Sequence, residues 1–289
     1  MTTLRILLDG TVDYAGLFPP AGLDMVRSVE NYRRYMDDAC AWMLGRFVVP
    51  VARLGEFKET LSGTSAAPWR LSVLIGENPE ADAREIAAFN RQNANAVIDS
   101  AEARAAGVNE IERIAGVVPA GIACFVELAP EAGLGASVAA LARLGLNAKI
   151  RTGGVTPDMI PDTAAVASFI ATCRDHDVPF KATAGLHHPI RAVHKLTYEP
   201  DSVSGKMLGF LNVFVATALA QEGSSEDTIR KMIGEEDADA IDVTEESITW
   251  CGTRLGADAI RKARDRGIRS FGSCSFEEPV RDLKGMHLI

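Results

Sequence analysis

The chain has 289 residues, of which 47% are hydrophobic and 24% charged, and its formal net charge is −9. This composition is typical of a globular protein, and the acidic balance disfavours nucleic acid and anionic membranes as partners. The five cysteines are scattered without a CxxC pair or metal-type spacing, so we expect a reducing, cytoplasmic setting. We also expect no signal peptide, because the N-terminus lacks a basic region followed by an apolar run. No apolar run approaches the length of a membrane span, so none is expected.

The first 44 residues are predicted to form an N-terminal extension or lid within the same domain as the rest of the chain. Leu4–Asp9 has the pattern of a short strand or cap, and residues 23–44 have helical spacing. Between them, residues 13–22 form a glycine- and proline-rich loop that carries Tyr14 and Phe18. Such a loop either closes over a site or packs its aromatic side chains on the body of the protein.

Strand-like and helix-like segments then alternate from residue 45 to the end of the chain. About eight such pairs predict one (β/α)8 barrel over residues 45–289. The rival fold is an open doubly wound sheet, but the glycine-rich segments match neither GxGxxG nor a Walker loop. The predicted strands are 46–51, 70–75, 95–99, 121–128, 146–154, 178–189, one of 238–243 or 247–251, and 268–273.

Charged residues recur near the C-terminal ends of the predicted strands, where barrel enzymes place their active sites. The alternation of side chains along a strand turns them toward the barrel interior. A salt-bridge network that only stabilises the barrel is the alternative, but desolvation offsets most of the attraction between buried charges, which favours a functional cluster. The predicted cluster consists of Asp99, Glu127, Lys149, Arg151 and Lys181.

The two lysines are predicted to lie on adjacent strands. Burial and a neighbouring cation lower the pKa of an amine and leave it nucleophilic near neutral pH, an arrangement that Lys149 and Lys181 offer. Asp99 or Glu127 would then transfer protons.

The motifs Lys149-Ile-Arg-Thr-Gly-Gly and Lys181-Ala-Thr-Ala-Gly-Leu resemble the two lysine motifs of deoxyribose-phosphate aldolases, class I aldolases built on a (β/α)8 barrel. The resemblance implies that Lys149 forms a Schiff base and that Lys181, one strand later, tunes it. Arg151 stands where that family usually has a small residue, and His187-His188-Pro189 replaces its phosphate-binding glycine run. The implied reaction is the making or breaking of a C–C bond through a lysine imine.

Further residues are predicted to contact a small anionic substrate, a phosphate or a carboxylate. Arg151 would clamp it with its planar guanidinium group. The backbone N–H groups of Thr152-Gly153-Gly154 would cradle it, unless these residues form a simple turn. Cys274 has no sequence sign of activation and is expected to be an inert buried thiol. The predicted substrate-binding residues are Arg151, Thr152, Gly153, Gly154, Thr183, His187, His188 and Ser273.

Two other functions stay open at this point. His187 or His188, with a third ligand from Asp99, Glu127 or His194, would hold a divalent metal in a metal-assisted hydrolase or isomerase. A non-catalytic protein that binds small anions is the second alternative. The lyase itself needs no cofactor, and the sequence leaves a homo-oligomer open.

Overall fold

The computed structural model describes residues 2–61, 68–129 and 133–289. Eight parallel strands form a closed barrel in which strands adjacent in sequence are adjacent in space and the last pairs with the first. The predicted (β/α)8 barrel is thus confirmed. Its strands are β1 (Val12–Tyr14), β2 (Leu44–Pro50), β3 (Trp69–Leu74), β4 (Ala96–Arg104), β5 (Ala123–Glu127), β6 (Asn147–Arg151), β7 (Phe180–Thr183) and β8 (Ile268–Ser273).

Helices surround the barrel, and several begin at residues whose side chains cap them. Asp24 accepts a hydrogen bond from the N–H of Arg27, and Asn78 precedes a proline at the first helical position. The α-helices of the described residues are α1 (Thr3–Leu8), α2 (Met25–Met36), α3 (Leu54–Thr60), α4 (Pro79–Gln92), α5 (Val108–Val117), α6 (Leu134–Leu144), α7 (Thr163–Asp175), α8 (Phe210–Gln221), α9 (Glu226–Ile233), α10 (Ala257–Arg266) and α11 (Glu277–Gly285). None of them is both long and apolar enough to cross a membrane.

The first 44 residues contribute a barrel strand, so they are not simply packed outside the barrel as an extension. β1 is fully buried and pairs with both β2 and β8. Its Tyr14 packs against Tyr32 and Tyr35 of α2, with ring centroids 6.2 and 5.2 Å away. A three-residue strand is too short to show alternation in the sequence. The segment predicted as a strand or cap before it is instead helix α1.

One predicted barrel strand lies outside the barrel. Residues 241–243 and 247–250 belong to a separate antiparallel sheet whose third strand is Thr253–Gly256. A second insertion, a hairpin of Ala192–Lys195 and Ser204–Met207, lies between β7 and α8. The number of barrel strands was therefore predicted correctly, but one strand was assigned wrongly. The strand that completes the set of eight is β1, and not the segment between residues 238 and 251.

The turns that follow β6 and β7 are in direct backbone contact. The N–H of Thr152 donates to the carbonyl of Thr183, and the hydroxyl of Thr152 donates to the carbonyl of Ala184 at 2.5 Å. Gly185 has a φ of +76°, and a Cβ placed on it would lie 2.8 Å from the Cα of Gly153. Glycine at both positions lets the two turns approach this closely.

Replacement of Gly185 by alanine should therefore destabilise the protein more than the same change at Gly223. Gly223 also has a positive φ, of +87°, but a Cβ there meets nothing within 4 Å. We expect Gly223→Ala to cost about 1 kcal/mol for the left-handed backbone and Gly185→Ala at least about 2 kcal/mol, because a clash is added. Urea denaturation of both variants measures the difference, and equal losses would contradict a tight contact between the turns.

Candidate active site

A cavity of about 990 Å³ opens at the C-terminal ends of the barrel strands. This is the end at which barrel enzymes carry their active sites. Apolar side chains from the β1, β2 and β3 side form much of its wall, and charged residues from β4, β5 and β6 face it. The residues that matter most for the chemistry are Glu102, Glu127, Lys149, Arg151, His187 and Cys274, all of which line the cavity.

Five buried or half-buried charges of alternating sign cross the barrel. Lys149 and Lys181 occupy paired positions on β6 and β7. Glu102 of β4 lies between them, with carboxylate oxygens 2.7 Å from each lysine Nζ. Lys181 is also 2.6 Å from Asp13 of β1, and Lys149 is also 2.9 Å from Glu127 of β5. We call Asp13, Lys181, Glu102, Lys149 and Glu127 the charge row.

Lys181 is enclosed within the barrel. Its side chain is 1% exposed and does not line the cavity, whereas Lys149 does. Burial acts to lower the pKa of Lys181, but Asp13 and Glu102 outweigh it and raise the pKa above its ordinary value. Lys181 is therefore held as a cation, and its Nζ also lies 5.7 Å from the centre of the Phe125 ring.

Glu102 and Asp13 were missed in the sequence analysis. Burial would raise the pKa of Glu102, but Lys149 and Lys181 hold it well below its ordinary value, and Ser72 donates a hydrogen bond to it at 2.8 Å. Asp13 accepts from Ser270 and from the N–H of Arg46, at 2.7 and 2.8 Å. Asp13 lies in the segment predicted as a loop, and Glu102 lies beyond the predicted end of β4.

Asp99 does not belong to the cavity, contrary to the prediction. It bonds instead to Arg46 and Arg70, near the start of β2 and β3. The pairing of β3 with β4 shifts between Leu71 and Ser72, which pair with Ile98 and Ser100 and leave Asp99 as an extra residue. Because of this bulge, the side-chain alternation that predicted an inward Asp99 does not continue along β4. After the bulge, Ser100 and Glu102 face the barrel interior.

The predicted positions of Glu127, Lys149 and Arg151 at the cavity are confirmed. Burial would raise the pKa of Glu127, but Lys149 and two arginines lower it below its ordinary value. Arg151 donates through Nε to Glu127 at 3.1 Å, and the Nε of Arg104 lies 3.5 Å from the same oxygen. The carboxylates, rather than the neighbouring cations, are thus the charges in contact with Lys149.

Thr152 and Gly153, which were predicted to cradle an anion, make contacts within the protein. The N–H and hydroxyl groups of Thr152 bond to the turn after β7, and Gly153 packs against Gly185. Of the predicted substrate-binding residues, Arg151, Gly154, Thr183 and His187 line the cavity. Ser273 is buried and donates to the carbonyl of Ser275 at 2.7 Å.

His187 and His188 have different surroundings. His187 lines the cavity and bonds through Nδ1 to Glu278 of α11 at 2.8 Å. His188 bonds to Asp282 at 2.6 Å and stacks on His194, with ring centroids 3.5 Å apart. Within the described ranges no group of three or more His, Cys, Asp and Glu side chains is arranged to hold a metal ion. The two histidines are thus each engaged by a carboxylate of α11.

Comparison of the chain with models of protein families finds no match, and neither does comparison with curated proteins.

Removal of the central carboxylate should destabilise the fold strongly. Glu102→Gln leaves Lys149 and Lys181 with one carboxylate each in a buried site, and breaking such pairs costs about 3 kcal/mol or more. Glu80→Gln removes an exposed pair with Arg113 and should leave the urea midpoint nearly unchanged. Similar midpoints for the two variants would contradict a stabilising role of the charge row.

The stability of the protein should also fall at alkaline pH because of His187. Burial lowers the pKa of this residue, but Cys274 and Glu278 outweigh burial and raise the pKa to about 10. Because the folded-state pKa exceeds the ordinary value of about 6.5, the contribution is complete below pH 6.5 and is lost as the pH rises to about 10. Urea denaturation across this range should show a shallower decline for His187→Asn, and an unchanged slope would contradict the ion pair.

Proposed function

We propose that the protein is a lyase of the class I aldolase type, which makes or breaks a C–C bond through an imine of Lys149. The observation that carries the proposal is the position of Lys149 in the cavity, between two carboxylates, with a second lysine enclosed behind it. (β/α)8 barrels commonly carry enzymes, and their catalytic groups come from the ends of several strands. The resemblance of both lysine motifs to deoxyribose-phosphate aldolases supports the same assignment.

The two lysines have different surroundings, which suits different roles. Lys149 reaches the cavity, so a carbonyl carbon can approach its Nζ. Lys181 is 1% exposed and bonded to Asp13 and Glu102, so it acts as a fixed positive charge. An amine that attacks must first lose its proton. Glu102 contacts both lysines, whereas Glu127 contacts only Lys149 of the two, at 2.9 Å. Glu127 is therefore a better acceptor than Glu102 for the proton of Lys149.

Imine formation then follows with Glu127 as the acid and base. The Lys149 ammonium group gives a proton to Glu127, and the resulting amine adds to the substrate carbonyl and forms a carbinolamine. Glu127 returns the proton to the carbinolamine hydroxyl group, and water leaves as the C=N bond forms. The iminium withdraws electrons, so the bond between the α and β carbons breaks and its electron pair enters an enamine. Hydrolysis of the final imine releases the amine.

The substrate is proposed to be a carbonyl compound with a small anionic group and an apolar part. Arg104 and Arg151 lie at the rim of the charged side, where either guanidinium can contact a phosphate or carboxylate. Both are already close to Glu127, so the anion would share them with that carboxylate. The wall formed by Phe18, Val48 and Leu74 suits the apolar part.

Reductive trapping tests the imine directly. Incubation with acetaldehyde, acetone or pyruvate and sodium cyanoborohydride should modify Lys149 in preference to Lys206, whose side chain is 44% exposed. Mass spectrometry of peptides identifies the modified lysine. Lys149→Ala and Lys149→Arg should both abolish this selective trapping, because a guanidinium is not nucleophilic near neutral pH.

Exchange of the α-hydrogens of the same carbonyl compounds with deuterium provides a second measurement. An enamine intermediate takes up deuterium from D2O, and NMR follows the loss of the proton signal. Lys149→Arg should lower the exchange to the rate without enzyme. Trapping confined to surface lysines, together with exchange that survives in Lys149→Ala, would exclude the imine.

A further inference from the structure

A second group of reactive side chains faces the same cavity from the other side of Lys181. Cys274 directly follows β8, and His187 lies in the segment after β7; both line the cavity. The Sγ of Cys274 lies 4.0 Å from Nε2 of His187, and Nδ1 of His187 lies 2.8 Å from Glu278. This order of thiol, imidazole and carboxylate is the arrangement that activates a cysteine.

The hairpin after β7 and helix α11 complete this group. Tyr198, from the turn of the hairpin after β7, places its hydroxyl 3.6 Å from Sγ of Cys274 and 3.1 Å from Glu278. Glu278 comes from α11, which follows β8. Other titratable groups near the pair include Tyr14 of β1, His194, and His188, whose ring centroid lies 6.5 Å from that of His187.

The surroundings of the pair favour the charged form of His187. Burial would lower the pKa of His187, but Cys274 and Glu278 raise it to about 10, which keeps an imidazolium beside Sγ at neutral pH. Two other cysteines lie away from the cavity, and burial raises the pKa of Cys124 to about 12 and that of Cys173 further still. Cys274 is the cysteine that meets both a histidine and the cavity.

We infer that Cys274 and His187, oriented by Glu278, form the proton-transfer unit that acts on the carbon skeleton of the substrate. This inference rests on the proposed function, since it supplies the acid and base for the bond-breaking step. Glu127 lies beside Nζ of Lys149, at the nitrogen end of the imine. Cys274 directly follows β8, which is two strands from β6 along the barrel, and it lines the same cavity as Lys149.

In this step, the proton that is removed from the substrate is later given back to it. The Cys274 thiolate takes the proton of the β-hydroxyl group while the C–C bond breaks and its electron pair enters the Lys149 iminium to form the enamine. The carbonyl product leaves. The Cys274 thiol then protonates the α carbon of the enamine, which restores both the thiolate and the imine. The His187 imidazolium stabilises the thiolate between these transfers, and no other reactant is needed.

The first arm of the test measures the thiolate without any substrate. It uses a Cys251→Ser background, because Cys251 is an exposed thiol outside the cavity. The ultraviolet absorbance of thiolate at pH 7 should be present in this background, absent after Cys274→Ser and strongly reduced after His187→Asn. This readout does not depend on whether a reagent can enter the cavity. No difference between the background and Cys274→Ser would overturn the inference.

The second arm separates the inference from the proposed function. With acetone as the probe, Cys274→Ala should retain cyanoborohydride trapping at Lys149 but lose deuterium exchange by about 100-fold or more, the usual contribution of a general acid–base group. Retained trapping with unchanged exchange would overturn the role of Cys274 and leave the imine standing. Absence of trapping in the Cys251→Ser background would instead overturn the proposed function, because that variant keeps the whole site.

Discussion

The alternation of charge along Asp13, Lys181, Glu102, Lys149 and Glu127 is the interaction on which the rest of the structure depends. Each of these groups loses hydration in the barrel, and a lone buried ion would be strongly destabilising. The row offsets this cost because every cation lies between two carboxylates and Glu102 lies between two cations. Its members come from β1, β4, β5, β6 and β7, so the charges pair correctly only when the barrel is closed.

The charge row also gives Lys149 and Lys181 different surroundings. Lys149 and Lys181 occupy paired positions on neighbouring strands, and both contact Glu102. Lys181 is closed off by Asp13 and the barrel interior, whereas Lys149 ends at the cavity. Access, rather than residue type, therefore separates a fixed positive charge from a candidate nucleophile. Glu127 also lines the cavity, which gives the cavity-facing amine of Lys149 its own carboxylate.

Parts of the chain outside the regular barrel shape the other side of the cavity. The hairpin after β7 brings Tyr198, and α11 brings Glu278, to the pair formed by His187 and Cys274. The contact between the turns after β6 and β7 holds Thr152 and Gly153 against Gly185. The cavity thus has a charged side, where the imine is proposed to form, and a hydrogen-bonded side to which the hairpin after β7 and helix α11 contribute.

The sequence by itself determined the fold class and the inward positions of Glu127, Lys149, Arg151 and Lys181, because strand alternation is a local property of the chain. It did not reveal that Val12–Tyr14 is a barrel strand, since three residues are too few to show a period. Only the tertiary structure decided that a bulge removes Asp99 and admits Glu102, and that Cys274 meets His187. Those outcomes depend on the register between strands and on contacts between residues far apart in sequence, which no local pattern records.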